Sequence, residues 1–476
     1  MTLRKRLIMK LVRLLLLLNL LTLMLVATYA QPTLPDFGYE NMKVNGQLST
    51  GSRPLVLILA DYAGGRTFPA GVAFYDSLMF DFFRPLSING YFLAISNGRF
   101  SWSRGGVVGP LSFSAEQRQD SVDPRIMATI VLAAMNTGFN FAQFDGNSDG
   151  LITNDEIGIF IISNKSQDGL WGVSRWANPL GVNQPYDLTT QGSTVSIRCK
   201  VSAADHTTSF MTMCHELSHE LGTLDLYGAS DLSQSLTLMG ATIYPSLNDL
   251  RTYHLDPWHK MQLGWSEPRI RSLRESGIEG LPATQMIRGD APVILYDPQH
   301  GINEFFIIEY RTPSSPNGSG YDTNVADTGL AIWHVNQDGN KNPIPIPNVT
   351  LYAIYSDGAP NFTLGGNTLW GSEITTPLLR WLDNSQTQTK IFVRPFNAGA
   401  ADITVEWFQE FWVDFNYTGS SELGTFDAPF KTLAGGVTAI PTGGVLKIKT
   451  GSSNEVPTIS KKMKIEAYGG NVTIGH

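Results

Sequence analysis

The chain of 476 residues holds only two cysteines, Cys199 and Cys214, and just 16% of its residues are charged. Two thiols allow at most one bridge, so a scaffold held together by a disulfide framework is excluded. Basic clusters are missing beyond the N-terminus, and acids outnumber bases by 42 to 34. An acidic chain with 11% aromatic residues argues against nucleic acid as a partner. Long apolar runs are also missing after Val26, so no later segment is expected to cross a membrane.

What is present begins with a processing signal over residues 1–30. Arg4, Lys5, Arg6, Lys10 and Arg13 precede an apolar stretch from Leu14 to Val26, and Thr28-Tyr29-Ala30 offers a cleavage site before Gln31. A retained anchor is the alternative, but the run is short for spanning. Removing the segment takes away five positive charges and no acids, so the net charge becomes −8 − 5 = −13. An extracellular location and no membrane contact after processing are expected. The remaining roughly 445 residues exceed one core and predict two or three domains.

The chemistry concentrates in the string HELSHELGTLDLY, residues 215–227. His215 and His219 are four apart, so on a helix they share a face and can reach one metal ion. Glu216 beside them suits a general base, and the pattern is that of zinc hydrolases. Gly222 stands where a helix would end in the left-handed conformation, letting the chain return Asp225 toward the metal. The full spacing is H-E-x-x-H-x-x-G-x-x-D, akin to the metzincin consensus with Asp as third ligand. Glu267 is the rival ligand, but it precedes Pro268, which disfavours a helical setting. Asp225 could also serve simply as a turn residue. Met239, in Leu236-Thr237-Leu238-Met239-Gly240, is a candidate for a Met-turn beneath the metal, although a lone Met is usually core packing. Cys214 adjoins His215, and a Cys199–Cys214 bridge stands evenly against two buried thiols. With no cysteine upstream of Cys199, latency through a thiolate capping the zinc is excluded.

A second motif runs from Asp145 to Glu156. Asp145, Asn147 and Asp149 occupy positions 1, 3 and 5 of a calcium loop, Gly150 position 6, Leu151 position 7 and Glu156 position 12. The β-branched Ile157–Ser163 that follows predicts a loop feeding a strand rather than an EF-hand pair. An ordinary Asp/Asn/Gly turn is the plain alternative.

Around these motifs, residues 31–53 read as a lead-in, and Pro54–Ala60 as a buried strand. Helices are predicted over 72–83, 87–96, 123–135 and 208–221, the last capped by Thr208 or Ser209. Residues 54–285 then form an α/β (α+β) catalytic domain. Short strands over 304–310, 329–335, 351–356, 390–395 and 402–408 predict a β-sandwich over 286–410. Residues 411–476 form a third, β-rich unit.

The first ~410 residues resemble the immune inhibitor A family of secreted bacterial metallopeptidases. The blocks DFGYENMKVNG, PLVLILADY, YFLAISNGRF, FDGNSDG, HELSHELGTLDLYG, LMG, PWHKMQLGW, NEFFIIEYR and YDTNVADTGLAIWHV carry the resemblance. It implies zinc ligands at His215, His219 and Asp225, Glu216 as general base, a Met-turn at Met239, and calcium at Asp145, Asn147 and Asp149. Ser218 stands where the family often has Gly or Ala, and Thr153 where it commonly has Asp. The family's long pro-segments have no counterpart before Pro54. The tail resembles the opening of a right-handed parallel β-helix, a module suited to glycan or cell-surface contact.

The expected function is therefore a secreted zinc endopeptidase acting on protein or peptide substrates. The rivals are a calcium-stabilised binding protein with a vestigial zinc site, and a zinc hydrolase of cell-wall amides. Tyr227, Tyr244 and His254 are candidate substrate contacts, with packing the preferred role; His334 is expected to be structural.

Overall fold

A short hairpin, β1 (Lys43–Val44) and β2 (Gln47–Leu48), opens the fold. Its turn residues, Asn45 and Gly46, both have positive φ, 48° and 80°, as a two-residue turn requires. The computed structural model describes residues 35–475 except 66, 67, 69, 70, 82, 83, 85, 115–122, 165–171, 227–235, 241–251, 285–291, 314–320, 324, 326, 342–350 and 355–368. The N-terminal segment expected to be a processing signal, Tyr227 and Tyr244 lie outside the described residues.

The apolar run after Pro54 lies in β3 (Gly51–Tyr62), where it is covered on both faces. Helices α1 (Val72–Phe80) and α2 (Ile88–Ile95) connect β3 to its parallel neighbour β4 (Phe100–Phe113). Helix α3 (Pro124–Met135) starts with Asp123 accepting from the Arg125 N–H at 2.9 Å. The calcium-loop motif then leads through β5 (Leu151–Thr153) into β6 (Gly158–Ser163), which is wholly buried. After β7 (Val173–Trp176), strands β8 (Ser196–Arg198) and β9 (Lys200–Asp205) precede α4 (Phe210–Glu220), which carries the H-E-x-x-H string.

The sheet order is β4-β3-β6-β9-β7, all parallel except β7, which pairs antiparallel with β9 at the edge. On one face, Ile126, Ile130, Val131 and Ala134 of α3 pack with Val56, Ile58, Ile159, Ile161 and Val201. The other face carries α4, where the Ser202 hydroxyl donates to the Glu216 carbonyl at 3.0 Å. Parallel strands covered on both faces account for the continuous apolar runs.

After α5 (Pro257–Gln262), β10 (Arg269–Ser272) and β11 (Gly277–Pro282) open two further sheets. One sheet runs β10-β12-β13-β14-β15, with β12 (Val293–Tyr296), β13 (Glu304–Arg311), β14 (Gly329–Asn336) and β15 (Leu351–Ile354). In the other, β17 (Asp402–Val413) pairs antiparallel with both β11 and β16 (Thr389–Val393). Their inner residues, among them Leu295, Ile308, Ile332, Ile391, Val405 and Trp407, share one core. Strands β10 and β11 belong to these sheets, so the sandwich strands begin at Arg269, ahead of the boundary that sequence placed at residue 286. The amphipathic alternation of 277–282 is short and interrupted by Gly280, which hid it.

Beyond α6 (Leu433–Ala439), β18 (Val445–Ser453) and β19 (Lys464–Ile474) stack in parallel on the last four residues of β17. Val413, Leu433, Ile440, Leu446 and Ile448 form their core. Glu410 marks the junction: it is buried, pairs with Lys390 at 2.9 Å and Lys447 at 3.3 Å, and accepts from the Trp412 indole at 3.2 Å.

Residues 38–476 make one compact unit. Arg311 helps tie it together, fully buried between Asp322 at 2.5 Å and Glu309 at 3.0 Å. Asp322 also accepts from the His254 N–H at 2.8 Å, which joins the sandwich to the segment before α5. His254 itself is almost wholly buried, its Nδ1 3.2 Å from Lys260 Nζ. Burial, with Lys260 and Arg311 nearby, drives its pKa well below the ordinary value. That placement removes it from the candidate substrate contacts. His334 is buried against Phe306 and 2.8 Å from Glu304 Oε1, in a packing position. Among the described residues, no helix is long and apolar enough to cross a membrane.

Candidate metal centre

Ser209 starts the motif helix, its hydroxyl accepting from the Thr212 N–H at 3.2 Å. This satisfies a donor that helix geometry leaves open. At the other end Gly222 has φ 98°, the left-handed conformation that turns the chain out of α4. The turn brings Asp225 back, and its Oδ1 lies 3.0 Å from His215 Nε2 and 3.3 Å from His219 Nε2. The two imidazole rings are 4.9 Å apart and nearly perpendicular. Among the described residues, His215, His219 and Asp225 are the group whose ligand atoms converge within 4.8 Å. Glu267 does not join them.

The hydrogen bonds behind the rings decide what the cluster can bind. His215 Nδ1 lies 2.8 Å from the Leu238 carbonyl, and His219 Nδ1 lies 2.9 Å from the Thr223 carbonyl. A carbonyl only accepts, so each Nδ1 carries the proton. In its neutral form each ring then turns an Nε2 lone pair toward the other and toward a carboxylate oxygen. Three lone pairs meeting head-on repel unless a proton or a metal cation lies between them. The edge of a tetrahedron with Zn–N bonds of 2.0–2.1 Å is about 3.3–3.4 Å, close to the spacings found. The donor set, two imidazoles and one carboxylate, also suits zinc. Backbone carbonyls holding the far nitrogens are the usual outer support of such ligands.

Without a cation, charge sharing supplies the compensation. Burial alone would lower the His215 pKa, but Asp225 and Glu216 overcome it and raise the value. Burial likewise works to raise the Asp225 carboxyl, yet the two imidazoles hold it well below the usual carboxylate range. Glu216 is nearly buried, and burial raises its pKa against the pull of His215 and His219. A carboxylate raised in this way is a better proton acceptor than one in water.

Met239 is fully buried, and the Thr223 hydroxyl approaches its sulfur at 3.5 Å. Its carbonyl accepts from the Leu226 N–H at 2.9 Å, so the Met239 turn pins one flank of Asp225.

Three contributors carry no local sequence signal. Gly172, just before β7, leaves the space that the Glu216 side chain fills. Glu220 is fully buried; it accepts from the Ser202 N–H, the Ile159 N–H and the Asn154 amide at 2.9, 3.1 and 3.3 Å, and its Oε1 lies 2.6 Å from the Ser202 hydroxyl. It bolts the end of α4, next to His219, onto β6 and β9. Leu238 supplies only its carbonyl. No periodicity or motif marks such residues, because their partners lie far along the chain.

Cys199 and Cys214 are free thiols and both buried. Cys199 sits in the core beneath α3, and its thiol faces the Ile152 carbonyl at 3.8 Å. Cys214 lies on α4 close enough to Tyr91 and Tyr321 to influence both phenols. Their different surroundings correct the bridge allowed by sequence.

In the calcium-loop motif, Gly150 has φ 82° and permits the sharp turn. Asp145 accepts from Asp149 N–H and Gly150 N–H at 3.1 and 3.0 Å, Asn147 Oδ1 from Asp149 N–H at 2.9 Å, and Asp149 from Leu151 N–H at 2.7 Å. Glu156 reaches back across the loop to the Gly146 N–H at 2.9 Å. The oxygens of Asp145, Asn147, Asp149 and Glu156 are thereby turned into the loop.

No protein-family model matches this chain, and no curated protein matches it.

Proposed function

We propose that this chain is a secreted zinc-dependent endopeptidase of metzincin-like organisation, related to the immune inhibitor A family. The carrying observation is the convergence of two imidazole Nε2 atoms and one carboxylate oxygen beside a buried glutamate. A zinc ion held by His215, His219 and Asp225 would supply Lewis acidity and lower the pKa of water.

The chain's own residues do the rest. Leu238 and Thr223 fix the ring tautomers through their carbonyls. Glu216 accepts a proton from the attacking water and returns it to the leaving amine. Among the described residues β7 is the edge strand beside α4; its Trp176 N–H donates to Asn183 Oδ1 at 2.9 Å, which leaves the stretch before Trp176 to pair with an extended peptide. The loop from Asp145 to Glu156 takes a structural calcium ion. The N-terminal signal directs export, and the β18–β19 tail offers a surface for glycan or cell-surface contact.

The test is cleavage of casein or gelatin by the full secreted chain beside Glu216→Ala, with bound zinc measured in both. Wild type should cleave and carry one zinc, while the variant keeps zinc and loses about 10²–10⁴-fold in rate. Equal rates would sink the general-base role. A zinc-loaded wild type inert on proteins but active on cell-wall amides would move the substrate class, and an inert one without zinc would support the binding-protein alternative.

A further inference from the structure

The turn that carries Asp225 is held from both sides, and only one side is explained by the Met239 turn. On the other flank, the Leu224 N–H donates to His259 Nε2 at 3.1 Å. His259 belongs to α5, is wholly buried, and lies thirty-five positions further along the chain.

That bond fixes the chemical state of His259. A nitrogen that accepts from an N–H carries no proton, so the proton is on Nδ1, which donates to Asp256 Oδ2 at 2.8 Å. Asp256 is wholly buried and also caps α5, its Oδ1 accepting from the His259 N–H at 2.9 Å. Its Oδ2 takes a further bond from the Thr237 hydroxyl at 2.7 Å, and the same Thr237 oxygen accepts from the Met239 N–H at 3.3 Å. The chain of bonds therefore runs from the Met239 turn through Thr237, Asp256 and His259 to the residue before Asp225.

We infer that His259, oriented by Asp256, is a positioning residue that sets where the Asp225 carboxylate stands for the metal. This rests on the zinc reading. His215 and His219 are placed by α4 itself, whereas Asp225 lies on a turn whose side chain is 42% exposed. Thr223 ties the start of that turn to α4, its N–H donating to the Ser218 carbonyl at 3.3 Å, and among the described residues two N–H bonds then flank Asp225 itself. Leu226 donates to the Met239 carbonyl and Leu224 to His259. Loss of the second bond lets the carboxylate drift while both histidines remain. Outer partners of this kind typically change metal affinity by about 10–100-fold.

The experiment measures zinc affinity of the full secreted chain by competition with a chromogenic chelator. The variants are His259→Phe, which keeps a ring but removes the acceptor, His259→Gln, which restores one, and Asp225→Ala with and without His259→Phe. We expect His259→Phe to weaken zinc by about 10–100-fold, and His259→Gln to recover part of that loss. In the Asp225→Ala background, His259→Phe should have no further effect, an outcome a general loss of structure would not produce. Should His259→Phe fail to fold, Leu224→Pro deletes the donor from the exposed turn and must show the same loss. An affinity within twofold of wild type, or equal weakening with and without Asp225, overturns the inference. A wild type that binds no zinc overturns the zinc reading instead, and the inference with it.

Discussion

A Cβ atom on Gly172 would stand 2.8 Å from Glu216 Cγ and 3.0 Å from its Oε1. The glycine therefore acts as a mould for the carboxylate proposed to move protons. Gly172→Ala should displace Glu216 without touching the metal ligands. Misplacement of a catalytic group by about 1 Å can cost about 100-fold. The expected result is a fall in kcat of that order with zinc content unchanged, read by steady-state proteolysis and metal analysis. An unaltered kcat would mean that Glu216 sits elsewhere during the reaction.

Glu220 should matter to stability more than to chemistry. Glu220→Ala leaves its buried donors unpaired, at about 1–3 kcal/mol for such a group. A drop of roughly 3 kcal/mol or more in denaturant unfolding is expected, since several donors are lost together. Burial pushes the Glu220 pKa from 4.5 up to about 8, against the pull of Ser202 and Ile159. Its folded value lies above its unfolded value, so this group's stability is fully present below pH 4.5 and is lost as pH rises toward 8. Glu220→Gln cannot titrate. The Tm of wild type relative to Glu220→Gln should fall from pH 5 to about 8, and a constant difference would contradict that proton balance.

Calcium should raise the Tm of zinc-saturated protein, because an ion that binds only the folded loop stabilises by about 2.7 kcal/mol at a hundred times its Kd. Asp149→Ala should abolish the shift. If calcium leaves the wild-type Tm unchanged, the loop is a turn closed by its own backbone bonds.

Both thiols should be silent toward Ellman's reagent in the native protein and should react fully after denaturation without reductant. Burial raises both thiol pKa values well above the ordinary value, which further lowers native reactivity. One bridge found by mass spectrometry would contradict the two separate environments.

The site was legible where its parts are close in sequence. His215, Glu216, His219, Gly222 and Asp225 span one helix and one turn, so helical periodicity and a left-handed glycine were enough to bring them together. The supports of that site were not legible. Leu238, Gly172, Glu220 and His259 act across the fold, and a carbonyl oxygen has no residue type to betray it. The fold shows the same divide. The buried run after Pro54 and the Asp123-capped helix were readable, since local pattern decides them. Strands β10 and β11 were not, because partners far downstream determine which sheets they join.

The strand β17 has a mechanical consequence. Its first part is clasped by β11 and β16, and its last four residues carry β18, with no linker between. The tail is thus a stiff extension of the sandwich rather than a flag on a string. A surface gripping β19 would therefore pull on the two sheets directly, through the strand that β18 shares with them.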